Sequence, residues 1–293
     1  MSLYIFPYFS VIITWYHKFL SKRQITKNSC QGGANMKEKI YTIPVTEAFE
    51  VECECPMCVL EKKLEDECID YILGPSLMEP EGRIETNEKG FCKKHFEKLY
   101  NRQQNKLGLG LILETHLTEQ NHNIGKVYES KKDAVKKDGE MSVVKNLTSK
   151  VSMKKTDTDK MVDNLLEVLK ELEGKCTVCG KLDHTMERYI DVILYLWFKE
   201  SDFKALFNSK KGFCLKHLKD LLEGTKKFLN AKDTAIFVVN LMELQLENFE
   251  RIREEVSWFT KKFDYRNNDA PWGNSKDAVP RSIQKIVGFC DFN

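Results

Sequence analysis

Helix-breaking residues are scarce: the 293-residue sequence holds seven prolines and fifteen glycines. That scarcity argues against a fold built from short strands and frequent turns. Sustained alternation of apolar and polar residues, which a half-buried strand needs, is absent too. No nucleophile elbow, phosphate-cradling glycine loop or HExxH occurs, so the common signatures of hydrolases, nucleotide-binding enzymes and zinc proteases are missing. The glycines of "LGLGL" at 107–111 form a lone pair within an apolar run.

A surplus of either charge is also lacking, since 46 Lys and Arg face 44 Asp and Glu. The balance is uneven along the chain. Residues 1–35 carry net +4, residues 36–122 net −6, residues 123–160 net +4 and residues 161–293 net 0. A nucleic-acid reader concentrates positive charge on the folded surface that meets phosphates. Here the first folded segment is acidic, which argues against that class.

Long apolar runs are limited to "LYIFPYFSVIITWYHKFL" at 3–20. Pro7 and His17 interrupt it, and it barely reaches the ~20 apolar residues of a membrane span. Its positive charges, Lys22 and Arg23, follow the apolar stretch, whereas a signal peptide places them before it. The "QGGANM" ending at Met36 back-translates to a purine-rich ribosome-binding sequence ahead of a start codon. The expectation is that translation begins at Met36 and that residues 1–35 are an artefactual extension, with no membrane attachment.

What is abundant is cysteine, ten in all. Six of them, with two histidines, fall into four short pairs: "CPMC" at 55–58, "CKKH" at 92–95, "CTVC" at 176–179 and "CLKH" at 214–217. A secreted disulfide framework spreads its cysteines through a small domain, whereas metal ligands cluster in this way. A reducing, cytoplasmic setting is the consequent expectation. The offset between Cys55 and Cys176 is 121 residues, and between Cys92 and Cys214 it is 122. Ile69, Asp70, Ile72 and Leu73 keep the same register with Ile190, Asp191, Ile193 and Leu194, and "KGFC" recurs at 89–92 and 211–214. The chain therefore contains an internal duplication.

Each copy reads as helices. Leu60, Leu64, Cys68 and Ile72 form one stripe, and Met186, Ile190, Ile193 and Trp197 another. Residues 159–173 form a further amphipathic helix that Gly174 stops. The predicted fold is all-α, with helical metal-binding units at 36–125 and 158–257, each clamped by its own Cys3His site. A lysine-rich flexible linker at 126–157 and an aromatic and basic tail at 258–293 complete the predicted organisation.

The ligand sets predicted from sequence are Cys55, Cys58, Cys92 and His95 for one ion, and Cys176, Cys179, Cys214 and His217 for the other. Cysteines packed as small hydrophobes are the plain alternative, but two complete sets in register favour metal. Four closed ligands suit structural Zn²⁺, two ions per chain, and leave no position for a substrate water. An iron–sulfur cluster is the minor alternative. Cys53 has no counterpart in the second copy. It is read as an incidental thiol, or as the trigger of a redox-responsive zinc protein or chaperone. In the tail, Tyr265, Arg266, Trp272 and Arg281 are the types that dominate partner contacts.

"MKEKIYTIPVTEAFEVECECPMC", the two GFCxxH motifs and "KKFDYRNNDAPWGNSKDA" resemble a family of uncharacterised proteins of anaerobic Gram-positive bacteria, catalogued as a domain of unknown function. The resemblance covers about residues 36–289. Members of that family sometimes carry a transporter substrate-binding label, but this chain lacks the alternating strand–helix pattern of a two-lobed binding protein. The functional expectation is a non-catalytic zinc-binding helical protein that engages an unidentified protein partner. A nucleic-acid-associated zinc protein is the further alternative.

Overall fold

A computed structural model describes the backbone of residues 34–140 and 155–292. The expected start at Met36, the N-terminal extension and residues 140–154 of the predicted linker fall wholly or partly outside the described side chains. Among the described residues there is no strand, as the sequence predicts, and eleven α-helices account for the fold. They are α1 (Ala34–Glu50), α2 (Pro56–Leu73), α3 (Pro80–Lys89), α4 (Lys93–Asn101), α5 (Lys106–Glu140) and α6 (Asp157–Glu173). The second half has α7 (Thr177–Lys199), α8 (Ser201–Asn208), α9 (Leu215–Phe228), α10 (Ala231–Lys261) and α11 (Ala278–Val287). Helix α5 runs into the segment read as linker, and α6 packs against it. Thr156 caps α6 through a reciprocal capping box with Asp159. None of the helices is long and apolar enough to cross a membrane.

Two apolar cores are built from both copies. In the first, Met57 and Leu60 at the start of α2 meet Ile193, Leu196 and Trp197 near the end of α7, with Phe207, Phe213 and Phe237 closing the cluster. In the second, Ile69, Ile72 and Leu73 at the end of α2 meet Val178 and Leu182 at the start of α7, alongside Phe91 and Leu99. The repeated helices α2 and α7 thus lie antiparallel, start against end. Because each core draws on both copies, the repeats are not separate bodies: Tyr41–Asn293 forms one compact unit.

That antiparallel arrangement decides where the ligand pairs go. Helix α2 spans 18 residues, about 27 Å at 1.5 Å per residue. The chain then passes through the short α3 before reaching Cys92. The CPMC pair sits at the start of α2, and the GFCKKH knuckle packs beside the second half of that helix. There it meets the start of α7, with the CTVC pair.

Candidate metal centres

All four ligand pairs occupy the same local position. Cys55, Cys92, Cys176 and Cys214 are the N-caps of α2, α4, α7 and α9, and Cys58, His95, Cys179 and His217 sit three residues on, in the first turn. An N-cap side chain and a third-residue side chain both point back over the helix start. There the unpaired N–H groups and the dipole favour negative charge, which suits thiolates. Gly90 and Gly212, two residues before the caps, adopt φ of +57° and +77°. A Cβ on Gly90 would lie 2.6 Å from the His116 ring, and one on Gly212 2.9 Å from Gln245 Oε1. Each knuckle is braced by the long helix that follows it. His116 Nδ1 lies 2.8 Å from the Asn87 carbonyl, while Gln245 accepts from Phe213 N at 2.8 Å and donates to Phe213 O at 2.9 Å.

The structure brings the pairs together across the duplication, not within it. Cys55, Cys58, Cys214 and His217 form one cluster (site A), and Cys92, His95, Cys176 and Cys179 the other (site B), with the ligand atoms of each within 4.8 Å of one another. The eight predicted ligands are all present, but the expected partition by repeat is corrected. The reason is geometric: in the first copy Cys55 and Cys58 stand at the start of α2, whereas His95 is held beside Glu65 in the middle of that helix.

In site A, His217 Nδ1 lies 3.5 Å from Cys55 Sγ, 3.4 Å from Cys58 Sγ and 3.2 Å from Cys214 Sγ, and Cys58 and Cys214 sulfurs are 3.6 Å apart. In site B, His95 Nδ1 lies 3.2 Å from Cys92 Sγ, 3.2 Å from Cys176 Sγ and 3.4 Å from Cys179 Sγ, and the Cys92 and Cys179 sulfurs are 3.9 Å apart. A tetrahedral ion with metal–sulfur bonds of about 2.3 Å and metal–nitrogen bonds of about 2.0 Å sets edges of roughly 3.8 and 3.6 Å. Both clusters match that scale, and none of their cysteines is in a disulfide.

Without an ion, the histidines supply the positive charge. Burial works against it, but contact with Cys214, Cys58 and Glu61 raises the His217 pKa to about 11. His95 is raised to about 9 against burial by Cys176 and Glu65. Burial opposes ionisation of Cys176 as well, yet contact with His95 lowers its thiol to about 6. In each cluster one thiol, Cys176 or Cys214, is lowered, while burial and the neighbouring thiols push Cys179 up to about 12 and Cys55 well above the ordinary range.

Two residues that the sequence did not single out orient the histidines. Glu61 Oε2 faces His217 Nε2 at 3.2 Å, and Glu65 Oε1 faces His95 Nε2 at 3.1 Å. With Nδ1 committed to the sulfurs, His95 Nε2 hydrogen-bonds Glu65, the arrangement that fixes ring tautomer and orientation around bound metals, while His217 Nε2 lies within ion-pair distance of Glu61 without an aligned hydrogen bond. Both carboxylates are held ionised. Burial raises their pKa values, but the histidines and lysines outweigh it, taking Glu61 to about 2 and Glu65 well below the carboxylate range. Lys216 holds Glu61 at 2.7 Å, and Lys94 (2.8 Å) and Lys98 hold Glu65. One face of α2, four residues apart, serves both sites. The signal missed was "EKKLE", a helical i, i+4 pair just after the ligand cysteines. Its counterparts at the same offset are Leu182 and Met186, so the duplication gave no hint. Replacing Glu65 by Gln should weaken metal binding at site B about 10- to 100-fold and leave site A unchanged, as read by competition titration.

The repeated aspartates do not join the sites: Asp70 pairs with Arg102 at 2.6 Å. Cys53 is half-buried and lines a cavity of about 550 Å³ with Cys55, Cys58, Lys62 and Phe289. Burial raises its thiol pKa. In the tail, Tyr265 is 80% exposed, and Arg266 pairs with Asp264 on the surface. Trp272 is partly covered, its ring 5.8 Å from that of Phe259. Arg281 corrects the expectation of a partner surface. Its guanidinium turns inward to Glu54 at 3.1 Å and Glu255 at 2.5 Å, because the almost fully buried Glu54 carboxylate requires positive partners.

A family of unknown function (DUF6062) matches residues 36–293. The chain belongs to that family. No curated protein and no solved structure shows significant similarity to it. For this DUF6062 chain, the site geometry therefore carries the functional argument.

Proposed function

We propose that this protein is a zinc protein in which two closed Cys3His sites tie a duplicated helical chain into one body, and that it acts by binding a protein partner, not by catalysis. The observation that supports this reading is that each cluster takes two ligands from each repeat. Four protein ligands complete a tetrahedral ion and leave no position for a substrate water, as in structural zinc sites. Sulfur–sulfur separations of 3.6 and 3.9 Å suit a single ion. A multi-iron cluster distributes its ligands over several metals and would hold them farther apart.

A protein partner is favoured over nucleic acid because the basic surplus lies outside the acidic segment 36–122. Exposed Phe263 and Tyr265 in the tail offer aromatic contact. The redox-responsive alternative rests on Cys53, a half-buried thiol that has no counterpart in the second copy. The described cysteines are all unpaired, which suits a reducing cytoplasm. Elemental analysis of the purified protein tests the reading. Two zinc per chain is the expected result; iron with visible absorbance, or no metal, overturns it.

A further inference from the structure

The two centres differ in how an incoming ligand could reach them. In site A all four ligands are buried, with Cys214 and His217 at 0% exposure; in site B Cys92 and Cys179 are partly exposed. The difference traces to the tail, which has no counterpart in the first copy. Helix α11 ends at Gly288, whose φ is +90°. A Cβ placed there would stand 3.7 Å from Cys214 Sγ and 3.8 Å from Cys58 Sγ, so this stretch of backbone rests on two of the site A sulfurs.

One turn earlier, Lys285 is 1% exposed. Its ammonium donates to the carbonyl of Glu54 at 2.8 Å and to that of Lys211. Those carbonyls belong to the two segments that lead into the ligand pairs of site A. Site B joins its own segments by a backbone bond, Thr177 N to Gly90 O at 3.0 Å. The equivalent donor in site A would be residue 56, but Pro56 has no N–H. Lys285 supplies the cross-link that the proline removes. Glu54, gripped by Arg251 at 2.6 Å and by Arg281 at 3.1 Å, anchors the tail beside it.

Resting on the zinc reading above, we propose that the sites divide their roles: site B exchanges its ion with an external thiolate or nitrogen chelator, while α11 locks the ion of site A in place. Exchange at tetrahedral zinc proceeds as the incoming ligand adds to the metal in an expanded shell. Cys92 and Cys179, the partly exposed ligands, mark the side from which it would approach site B. The departing ion keeps its charge, the acceptor's donors take its coordination positions, and each released thiolate takes up a proton. At site A the tail covers the Cys58 and Cys214 sulfurs, and although a cavity reaches Cys55 and Cys58 these stay only 4% and 8% exposed; opening the site by lifting the tail exposes the buried Glu54 charge and two carbonyls.

The test uses the full zinc-loaded chain mixed with excess chromophoric zinc chelator. Two phases of one zinc each are expected. Alkylation and peptide mapping when one zinc has left should label Cys92, Cys176 and Cys179 and spare Cys55, Cys58 and Cys214, a readout that needs no variant. Lys285→Met should speed the slow phase about tenfold and leave the fast phase unchanged; Arg281→Gln offers a second route to the same release. Equal release of both ions, early labelling at site A, or a slow phase indifferent to both substitutions overturns the proposal. Those outcomes all require two bound zinc, so they are distinct from a chain that binds none, which would overturn the zinc reading itself.

Discussion

A chain carrying both Cys58→Ser and Cys92→Ser should hold no tightly bound zinc, whereas one carrying Cys58→Ser and Cys214→Ser should keep one. Cys58 and Cys214 belong to the same cluster, and Cys92 belongs to the other. Pairing within each repeat makes the opposite statement: Cys58 and Cys92 would then share an ion, and their joint loss would spare the second site. Native mass spectrometry of the two double variants separates the alternatives by whole-number stoichiometry. One retained zinc in the Cys58→Ser, Cys92→Ser chain would refute the crossed arrangement. Serine keeps the N-cap or first-turn position able to hydrogen-bond, so the helix starts are preserved as far as a substitution allows.

Stripping both ions should unfold much of Tyr41–Asn293, with loss of far-ultraviolet helical signal and of a cooperative thermal transition. Structural zinc is worth ~10–16 kcal/mol in small zinc-binding peptides, a sum comparable to the whole stability of an ordinary domain, about 5–15 kcal/mol. The linkage is long-range as well. Cys58 and Cys214 are 156 residues apart in the chain, and Cys92 and Cys179 are 87 apart. Site B is nested inside the loop that site A closes, so loading B shortens what A has to close, a coupling worth about 0.6 kcal/mol per halving of loop length. Without the ions, three cysteines and a buried histidine remain in each cluster with their mutual charges unbalanced. Acidification should act in the same direction, since thiolate and imidazole ligands must be deprotonated to hold metal. Glu61 stabilises the folded chain above its ordinary value of 4.5, and that contribution is lost only as pH falls toward about 2. Metal loss near pH 5 would therefore report the ligands and not this carboxylate. A fully demetallated chain with unchanged helicity would end the structural reading of both sites.

Much of this was written locally. The stripes Leu60–Leu64–Cys68–Ile72 and Met186–Ile190–Ile193–Trp197 become α2 and α7 because a four-residue period has only a helical solution. The ligand pairs read as pairs because N-cap and first-turn positions of one helix adjoin each other, a relation fixed within four residues. Duplication is likewise a property of the string.

What the string did not contain was the relation between elements far apart in it. A spacing of 33 or 34 residues between ligand pairs looked like one site per repeat, yet a long helix within that spacing carries the second pair away from the first. Only the antiparallel packing of α2 on α7, imposed by two cores that each need side chains from both copies, decides that CPMC meets GFCLKH and CTVC meets GFCKKH. The same holds for Glu61 and Glu65, whose importance comes from what stands opposite them, and for Arg281, exposed in any reading of sequence but drawn inward by the buried Glu54. By itself the sequence determined the eight ligands, their helix-start positions and the duplication, because those depend on neighbours along the chain. Which ligand pairs share a cluster, and that one cluster lies under the tail while the other is partly exposed, was decided by tertiary structure, because contact across 80 or more residues depends on how helices pack.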